Sequence, residues 1–442
     1  MAEESRRAIW QKDTRPEDWV TRFTVGEDYR WDTLLLPYDV QGSLAHAWGL
    51  QQIGVLTQAE LASVEATFVD LIAAYEAGDV LVTPADEDCH TVIERYLTER
   101  LGDTGKKIHT GRSRNDQVLT ALRLYLRDEL ESLGNKTAAV AEQLCALGTR
   151  YAGVLMPGYT HLQRAMPTTA GLWAMGYAEM LVSDLEALRA AHAQVNVSPL
   201  GSAAGYGVPY LALPREAVSE RLGFRAVQVH VPVVQLSRGK LELHVVHALV
   251  QVGATINRLA SDLVLYNTAE FGFVTLPAAF CTGSSIMPQK QNPDVLELAR
   301  ANYHRLLAEM HVLLTLPANL PSGYHRDLQL TKEAVMRSVL LSHDVLTAME
   351  NLLEGLAFDP ERLAAAASSE LYATAYALRL VQEGVPFREA YRRAAKEPEG
   401  WDREKAEVNL DAYRVDGFPG RLRPDLIRRR VQEAAFWPMG RG

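Results

Sequence analysis

Apolar side chains recur at three- and four-residue steps over five long stretches of the chain, the spacing that lines one face of an α-helix. Between 115 and 133 the stripe is Val118, Leu122, Tyr125, Leu126 and Leu130, with Gly134 placed as its stop. Residues 172–194 repeat it through Trp173, Met180, Leu181, Leu185 and Leu188, and residues 240–266 through Leu241, Val245, Leu249, Ile256, Leu259 and Leu263. Two more stretches follow: 294–314 with Leu296, Tyr303, Leu307, Met310 and Leu314, and 327–353 with Leu330, Val339, Val345, Met349 and Leu352. Each is longer than the mean globular helix of about 11–12 residues, which predicts a mainly α chain built on an extended five-helix bundle. Several of these helices are apolar on more than one side. Such faces need covering, so association with other copies of the chain is expected.

Strand signals are sparse. Residues 227–234 carry the best one, and Pro232 weakens it. The breaks divide the chain into a mixed, mostly helical first segment (1–111), the bundle (112–357) and a smaller helical segment (358–442) whose helices Pro386, Pro398 and Pro419 limit. Composition adds exclusions. The 442 residues hold 55 acidic against 45 basic side chains, a formal charge of −10 that argues against a nucleic-acid binder while leaving room for a focused anion site. The run Arg428, Arg429, Arg430 reads as a solvated helix face. Cys89, Cys145 and Cys281 are too few and scattered for a disulfide framework or thiolate cage, which fits a reducing cytoplasm. The first residues, MAEESRRAIWQKD, lack the apolar core of a secretory signal. The uncharged run 271–289 is broken by Pro277, Pro288 and two glycines, so it reads as a loop and no membrane partner is expected.

Candidate chemistry lies between the long helices. HTGRSRNDQV (109–118) sets Ser113, Arg114 and Asn115 just before a helix, where donors and a positive helix end suit a carboxylate. Ser113, Asn115 or Asp116 read equally as an N-cap. In MPGYTHLQRAMP (156–167), Thr160 and His161 sit in a proline-flanked turn, and His161 is either a hydrogen-bonded turn residue or a positioned acid or base. TGSSIMPQKQNPDVLE (282–297) is the most informative segment. Its Gly-Ser-Ser makes a small-residue loop able to close on a ligand, followed by Lys290, Asn292 and, one turn into a helix, Glu297. SGYHRDLQLTK (322–332) offers Tyr324, Gln329 and Lys332 to one pocket or to solvent. In DEDCHTVIE (86–94) Glu87, Asp88 and His90 lack a second histidine at zinc-ligand spacing, so no metal is expected.

GSSIMPQKQN (283–292) resembles the signature loop of the fumarase/aspartase superfamily. HTGRSRNDQV, YTHLQRAMP and MPQKQNPD together resemble the argininosuccinate lyases within it, over a match running from about Asp39 to Arg392. The resemblance implies a three-domain, mainly α subunit, a homotetramer with a twenty-helix core, active sites shared between subunits, and cleavage of argininosuccinate to arginine and fumarate without a cofactor. It places Ser284 as the base, His161 paired with Glu297 in acid–base work, and Lys290 and Asn292 on the substrate carboxylate and the intermediate. Ser113, Arg114, Asn115, Thr160, Tyr324, Gln329 and Lys332 match substrate contacts, and Asp32 matches the family's aspartate.

The chemistry calls for such groups. β-Elimination first removes a weakly acidic proton beside a carboxylate, giving a doubly negative aci-carboxylate that preorganised donors stabilise more than the ground state. A serine acts as base only in a cationic, desolvated loop. The segment 26–37 departs from the family pattern by placing Asp28 near the position of a substrate-contacting serine, and the segments 201–209 and 235–240 around Arg238 depart too. These changes bear on the amino-acid end of the substrate. Competing readings are a lyase of another N-succinyl adduct, such as adenylosuccinate, and a non-catalytic, crystallin-like homologue.

Overall fold

A computed structural model describes residues 18–407 and 410–434. The chain is mainly helical and divides into two compact units, one made of residues 1–132, 190–248 and 307–340, the other of 133–189, 249–306 and 341–442.

The first unit opens with α1 (Asp18–Val25), α2 (Asp28–Gln52), α3 (Gln58–Glu76), α4 (Cys89–Leu101) and α5 (Asp103–Lys107), followed by the first half of α6 (Arg114–Arg150). Leu35, Leu36, Leu50, Phe68, Leu71, Ile93 and Leu97 from α2, α3 and α4 form its core. Helix α2 runs through Pro37, whose missing N–H leaves the carbonyl of Thr33 without its helical donor. The Tyr75 hydroxyl of α3 donates to that carbonyl at 2.9 Å, so the orphan is satisfied and α2 stays continuous. Thr57 and Glu60 form a reciprocal capping box at the start of α3. Asp88 caps α4 by accepting the Thr91 amide at 2.8 Å.

In the second unit, β1 (Leu155–Thr160) and β2 (Gln163–Thr169) form an antiparallel hairpin whose last pair is Thr160 with Gln163. It is followed by α7 (Ala170–Val195). Back in the first unit, β3 (Val197–Ser198) pairs in parallel with β4 (Ala226–Val227), with α8 (Arg215–Arg221) between them and α9 (Pro232–Leu236) after them. Helix α10 (Lys240–Tyr266) then leads to β5 (Val274–Thr275), α11 (Asp294–Thr315), α12 (Leu330–Glu354) and β6 (Ala357–Phe358), which pairs with β5. The five long helices α6, α7, α10, α11 and α12 each supply residues to both units. In the second unit Val140, Leu144, Leu181, Leu185, Ile256, Leu259, Leu296 and Met349 are buried. The chain closes with α13 (Pro360–Ala366), α14 (Ala373–Gln382), α15 (Phe387–Ala394), α16 (Pro398–Glu407) and α17 (Pro424–Ala434), where Tyr376, Leu380, Ala390 and Trp401 make a separate small cluster. Among the described residues no helix is long and apolar enough to cross a membrane.

Three sequence expectations need correction. Gly134 does not stop its helix: α6 continues to Arg150 because the buried stripe goes on through Thr137, Val140, Ala141 and Leu144, and that burial outweighs a glycine cost of about 1 kcal/mol. The strand expected over 227–234 shrinks to Ala226–Val227, since Pro232 starts α9 at a position where proline lacks nothing a helix needs. The helix expected from 327 begins as a 3-10 turn, Arg326–Gln329, and becomes α-helical at Leu330.

Candidate active site

A cavity of about 300 Å³ in the first unit gathers side chains from α2, α4, α6, the residues just before α10 and the start of α12. It is lined by Asp32, Arg114, Asn115, Tyr324, Gln329 and Lys332, six of the residues singled out in the sequence. Lys332 lies between Asp28 and Asp32, one turn apart on α2: its ammonium is 3.1 Å from Asp28 Oδ1 and is bonded directly to Asp32. Burial works to lower the Lys332 pKa, but the two carboxylates outweigh it and raise it. Burial raises Asp28 to about 6, against the pull of Lys332 and with the help of Asp32. The second oxygen of Asp32 accepts the Cys89 amide at 3.0 Å. Arg114 pairs with Asp88 and donates to Thr91 Oγ1 at 3.0 Å, while Arg326 pairs with Glu87 at 3.2 Å.

His90, which also lines the cavity, has its Nδ1 2.7 Å from Asp39 Oδ2, and Gln117 donates to Asp39 at 2.9 Å. Burial opposes charge on both partners, yet their attraction raises His90 and lowers Asp39, which favours the charged form of each. Asp32, Cys89 and His90 bring a carboxylate oxygen, a thiol and a ring nitrogen within 4.8 Å of one another. The set does not fit a metal: Asp32 is committed to Lys332, and burial beside three aspartates keeps the Cys89 thiol protonated.

Two arginines near the cavity differ sharply. Arg123 donates from its two terminal nitrogens, to the carbonyl of Val197 at 2.8 Å, Gln228 Oε1 at 2.7 Å and Ser237 Oγ at 2.9 Å. Arg238, 7% exposed, lines the cavity with its guanidinium carbon 4.9 Å from the Tyr324 ring centre, and its Nε and Nη1 have no hydrogen-bond partner among the described residues. Ser113 does not line the cavity. It caps α6, its oxygen accepting the Asn115 amide at 3.3 Å and its own amide donating to Asp116 at 2.9 Å. The capping reading of this segment therefore holds for Ser113 and Asp116, while Arg114 and Asn115 face the cavity.

The remaining candidates lie in the second unit. Thr160 ends β1, and His161 and Leu162 form the two-residue turn of the hairpin, both left-handed at φ 55° and 56°. That geometry is a primed turn, normally supplied by glycine or asparagine. It leaves His161 exposed, with no hydrogen bond from its ring to any described residue. The Ser-Ser loop is pinched at its base by two backbone bonds between Thr282 and Asn292, at 2.8 and 3.1 Å. Inside it, Ser284 Oγ accepts the amides of Met287 at 3.2 Å and Ile286 at 3.4 Å. Asn292 reaches the Gly283 carbonyl at 3.4 Å, Lys290 extends into solvent, and Glu297 lies exposed on the first turns of α11.

Comparison with known proteins places this arrangement. The sequence pattern of the lyase family matches residues 20–307. An argininosuccinate lyase of Sorangium cellulosum is 46% identical over 430 residues, spanning 97% of this chain and 99% of the relative. An argininosuccinate lyase of Thermotoga neapolitana is 42% identical over 397 residues, 90% of this chain and 99% of its own length. This chain belongs to the argininosuccinate lyase family. The argininosuccinate lyase fold is shared more widely. The structure superposes on an EDDS lyase in complex with formate at a TM-score of 0.76, with 23% identity over 95% of this chain and 90% of that one. It superposes on a fumarate lyase:delta crystallin from Brucella melitensis at 0.70, with 19% identity over 91% of each. Val118 and Arg326 line the cavity although sequence reasoning did not put them in the site, and Arg238, which the sequence placed only in a departing segment, lines it too. No spacing along the chain marks these three as neighbours.

Proposed function

We propose that this chain is an argininosuccinate lyase, catalysing the reversible β-elimination of argininosuccinate to L-arginine and fumarate. One observation carries the reading: a chain 46% identical to a named argininosuccinate lyase over nearly its whole length also gathers Asp32, Asn115, Tyr324, Gln329 and Lys332 in one cavity. That lining is mixed in charge, as a substrate with cationic nitrogen and anionic carboxylate groups requires.

In this reading the cavity holds the amino-acid end of the substrate, and the loop and hairpin act at the succinyl end. Ser284 removes the proton from the carbon beside a carboxylate. The amides of Met287 and Ile286 on its oxygen support that role, because an alkoxide gains more from two N–H donors than a hydroxyl does. Lys290, Asn292 and Thr160 stabilise the aci-carboxylate. His161, helped by Glu297, protonates the leaving nitrogen. The electron pair of the C–H bond becomes the new C=C bond, and the C–N electrons leave with arginine.

Within one chain neither His161 nor Glu297 has a side-chain hydrogen bond to a described residue, which favours completion of the site by other subunits of a homotetramer. The free thiols of Cys89, Cys145 and Cys281 fit a reducing cytoplasm.

The test is to incubate purified protein with argininosuccinate, following fumarate by ultraviolet absorbance and arginine by mass spectrometry. The wild type turns over, and Ser284→Ala lowers kcat by about 10³-fold or more, as expected for loss of an activated oxygen base. Turnover of a different N-succinyl adduct, with none of argininosuccinate, overturns the substrate. Undiminished turnover by Ser284→Ala removes that residue from the base role.

A further inference from the structure

The loop that carries Ser284 and Lys290 is closed at its base by more than backbone. Thr282 and Asn292 exchange main-chain bonds at 2.8 and 3.1 Å, and a line of three side chains crosses the same bridge. The Thr282 hydroxyl donates to the Asp294 carboxylate in a close contact. The side-chain amide of Asn292 reaches the Thr282 oxygen at 3.5 Å and the Gly283 carbonyl at 3.4 Å. Direction matters here. A hydroxyl has one proton to give, and Asp294 takes it, so the Thr282 oxygen is left as an acceptor for Asn292. Donation to a carboxylate polarises the hydroxyl and strengthens the bond it accepts. Asp294 is the first residue of α11, where unpaired helix amides favour a negative charge. Beside it, burial and then Asp294 itself push the Cys281 thiol up, so it stays protonated and adds no competing charge.

Thr282 is exposed and Asp294 half-buried, so their bond adds little to the stability of the whole fold. What it fixes is local. Nothing lies within 4 Å of where a Gly283 Cβ would stand, so packing does not hold the chain that enters Ser284. We propose that Asp294 and Thr282 are positioning residues for the elimination: their bond locks the base of the loop and, through Asn292 and Gly283, sets where Ser284 and Asn292 stand. The clasp deepens the function proposed above and rests on it for Ser284 as base and Asn292 as donor to the aci-carboxylate. Both residues act through these neighbours and not on the reacting atoms.

The experiment compares Thr282→Val, which loses the hydroxyl, Asp294→Asn, which loses the charge, the double variant and Thr282→Ser. Argininosuccinate turnover is followed with protium and with deuterium at the succinyl carbon that gives up its proton. Each single variant lowers kcat by about tenfold to 100-fold and leaves KM within about threefold, because a misplaced base slows the chemical step and not binding. Proton removal then limits the rate, so both variants show a primary isotope effect on kcat. The double variant is no slower than the worse single one, since each removes the same interaction. Thr282→Ser, which keeps the hydroxyl, retains most of the wild-type kcat. Trypsin supplies a readout independent of catalysis. Cleavage after Lys290, followed by mass spectrometry, speeds up roughly fivefold or more in Thr282→Val and Asp294→Asn while thermal unfolding stays unchanged. A kcat close to wild type, additive losses, absence of an isotope effect in the variants, or unchanged cleavage overturns the clasp. Failure of the wild type to turn over argininosuccinate sinks the lyase reading instead, and the trypsin comparison then decides the clasp alone.

Discussion

Asp28 sits where two opposing influences meet. Burial raises it to about 6, and Lys332 limits the rise, so the residue changes charge just below neutrality. Of the groups around it, Lys332 is raised and Asp88 is lowered, so both stay charged through that window. An incoming ammonium binds the carboxylate form better than the acid. Ligand binding therefore expels a proton below about pH 6 and none above it. Affinity for L-arginine should fall up to tenfold per pH unit below about pH 6, a limb that Asp28→Asn removes. A limb that survives in Asp28→Asn would assign the titration to another group. The same residue shows what a sequence can reveal at this scale. Asp32, Asn115, Tyr324, Gln329 and Lys332 were legible because each stands inside a motif or matches one. Asp28 and Arg238 stand in departures from the motif, and their significance depends on which partners they have or lack. No spacing along the chain encodes that.

At the scale of elements, the hairpin carrying Thr160 and His161 is held between the end of α6 and the start of α7 by two glycines. A Cβ on Gly171 would lie 2.5 Å from the Gly148 carbonyl oxygen and 2.6 Å from Ala152 Cα, both backbone atoms that cannot swing aside. Gly171→Ala should therefore destabilise the protein by roughly 1–3 kcal/mol in chemical denaturation and lower kcat, since the hairpin ends must move apart. Gly176, on the same helix, has nothing within 4 Å of its would-be Cβ. Gly176→Ala should stabilise by about 1 kcal/mol through helix propensity alone. Destabilisation by Gly176→Ala would instead reveal another chain packed at that point. The long helices were legible from their apolar period, but the hairpin was not. Its turn residues are His161 and Leu162, neither of which announces the left-handed backbone they adopt. Gly134 misled in the opposite direction, because a glycine signals a helix end only where the buried stripe also ends.

The whole molecule leaves large apolar side chains uncovered on its longest helices: Leu314 is 59% exposed on α11, Met180 53% on α7 and Leu340 42% on α12. Scattered exposed apolar residues are ordinary, but helices this long with apolar residues on several sides are those the sequence marked as needing neighbours. Sedimentation should return four times the 49.0 kDa chain mass. The amino-acid cavity and the elimination chemistry should then respond differently to dissociation. The cavity is lined by one unit of one chain, whereas the side chains of His161 and Glu297 have no hydrogen bond to a described residue. A Leu314→Glu, Met180→Glu double variant introduces charge on two of the exposed faces, and we expect it to sediment as smaller species. Argininosuccinate turnover should fall by at least 100-fold while L-arginine binding stays within a few-fold of wild type. Turnover that survives in the dissociated chain would mean that one subunit completes its own site. Loss of L-arginine binding together with turnover would mean that the cavity also needs a neighbour to hold its shape.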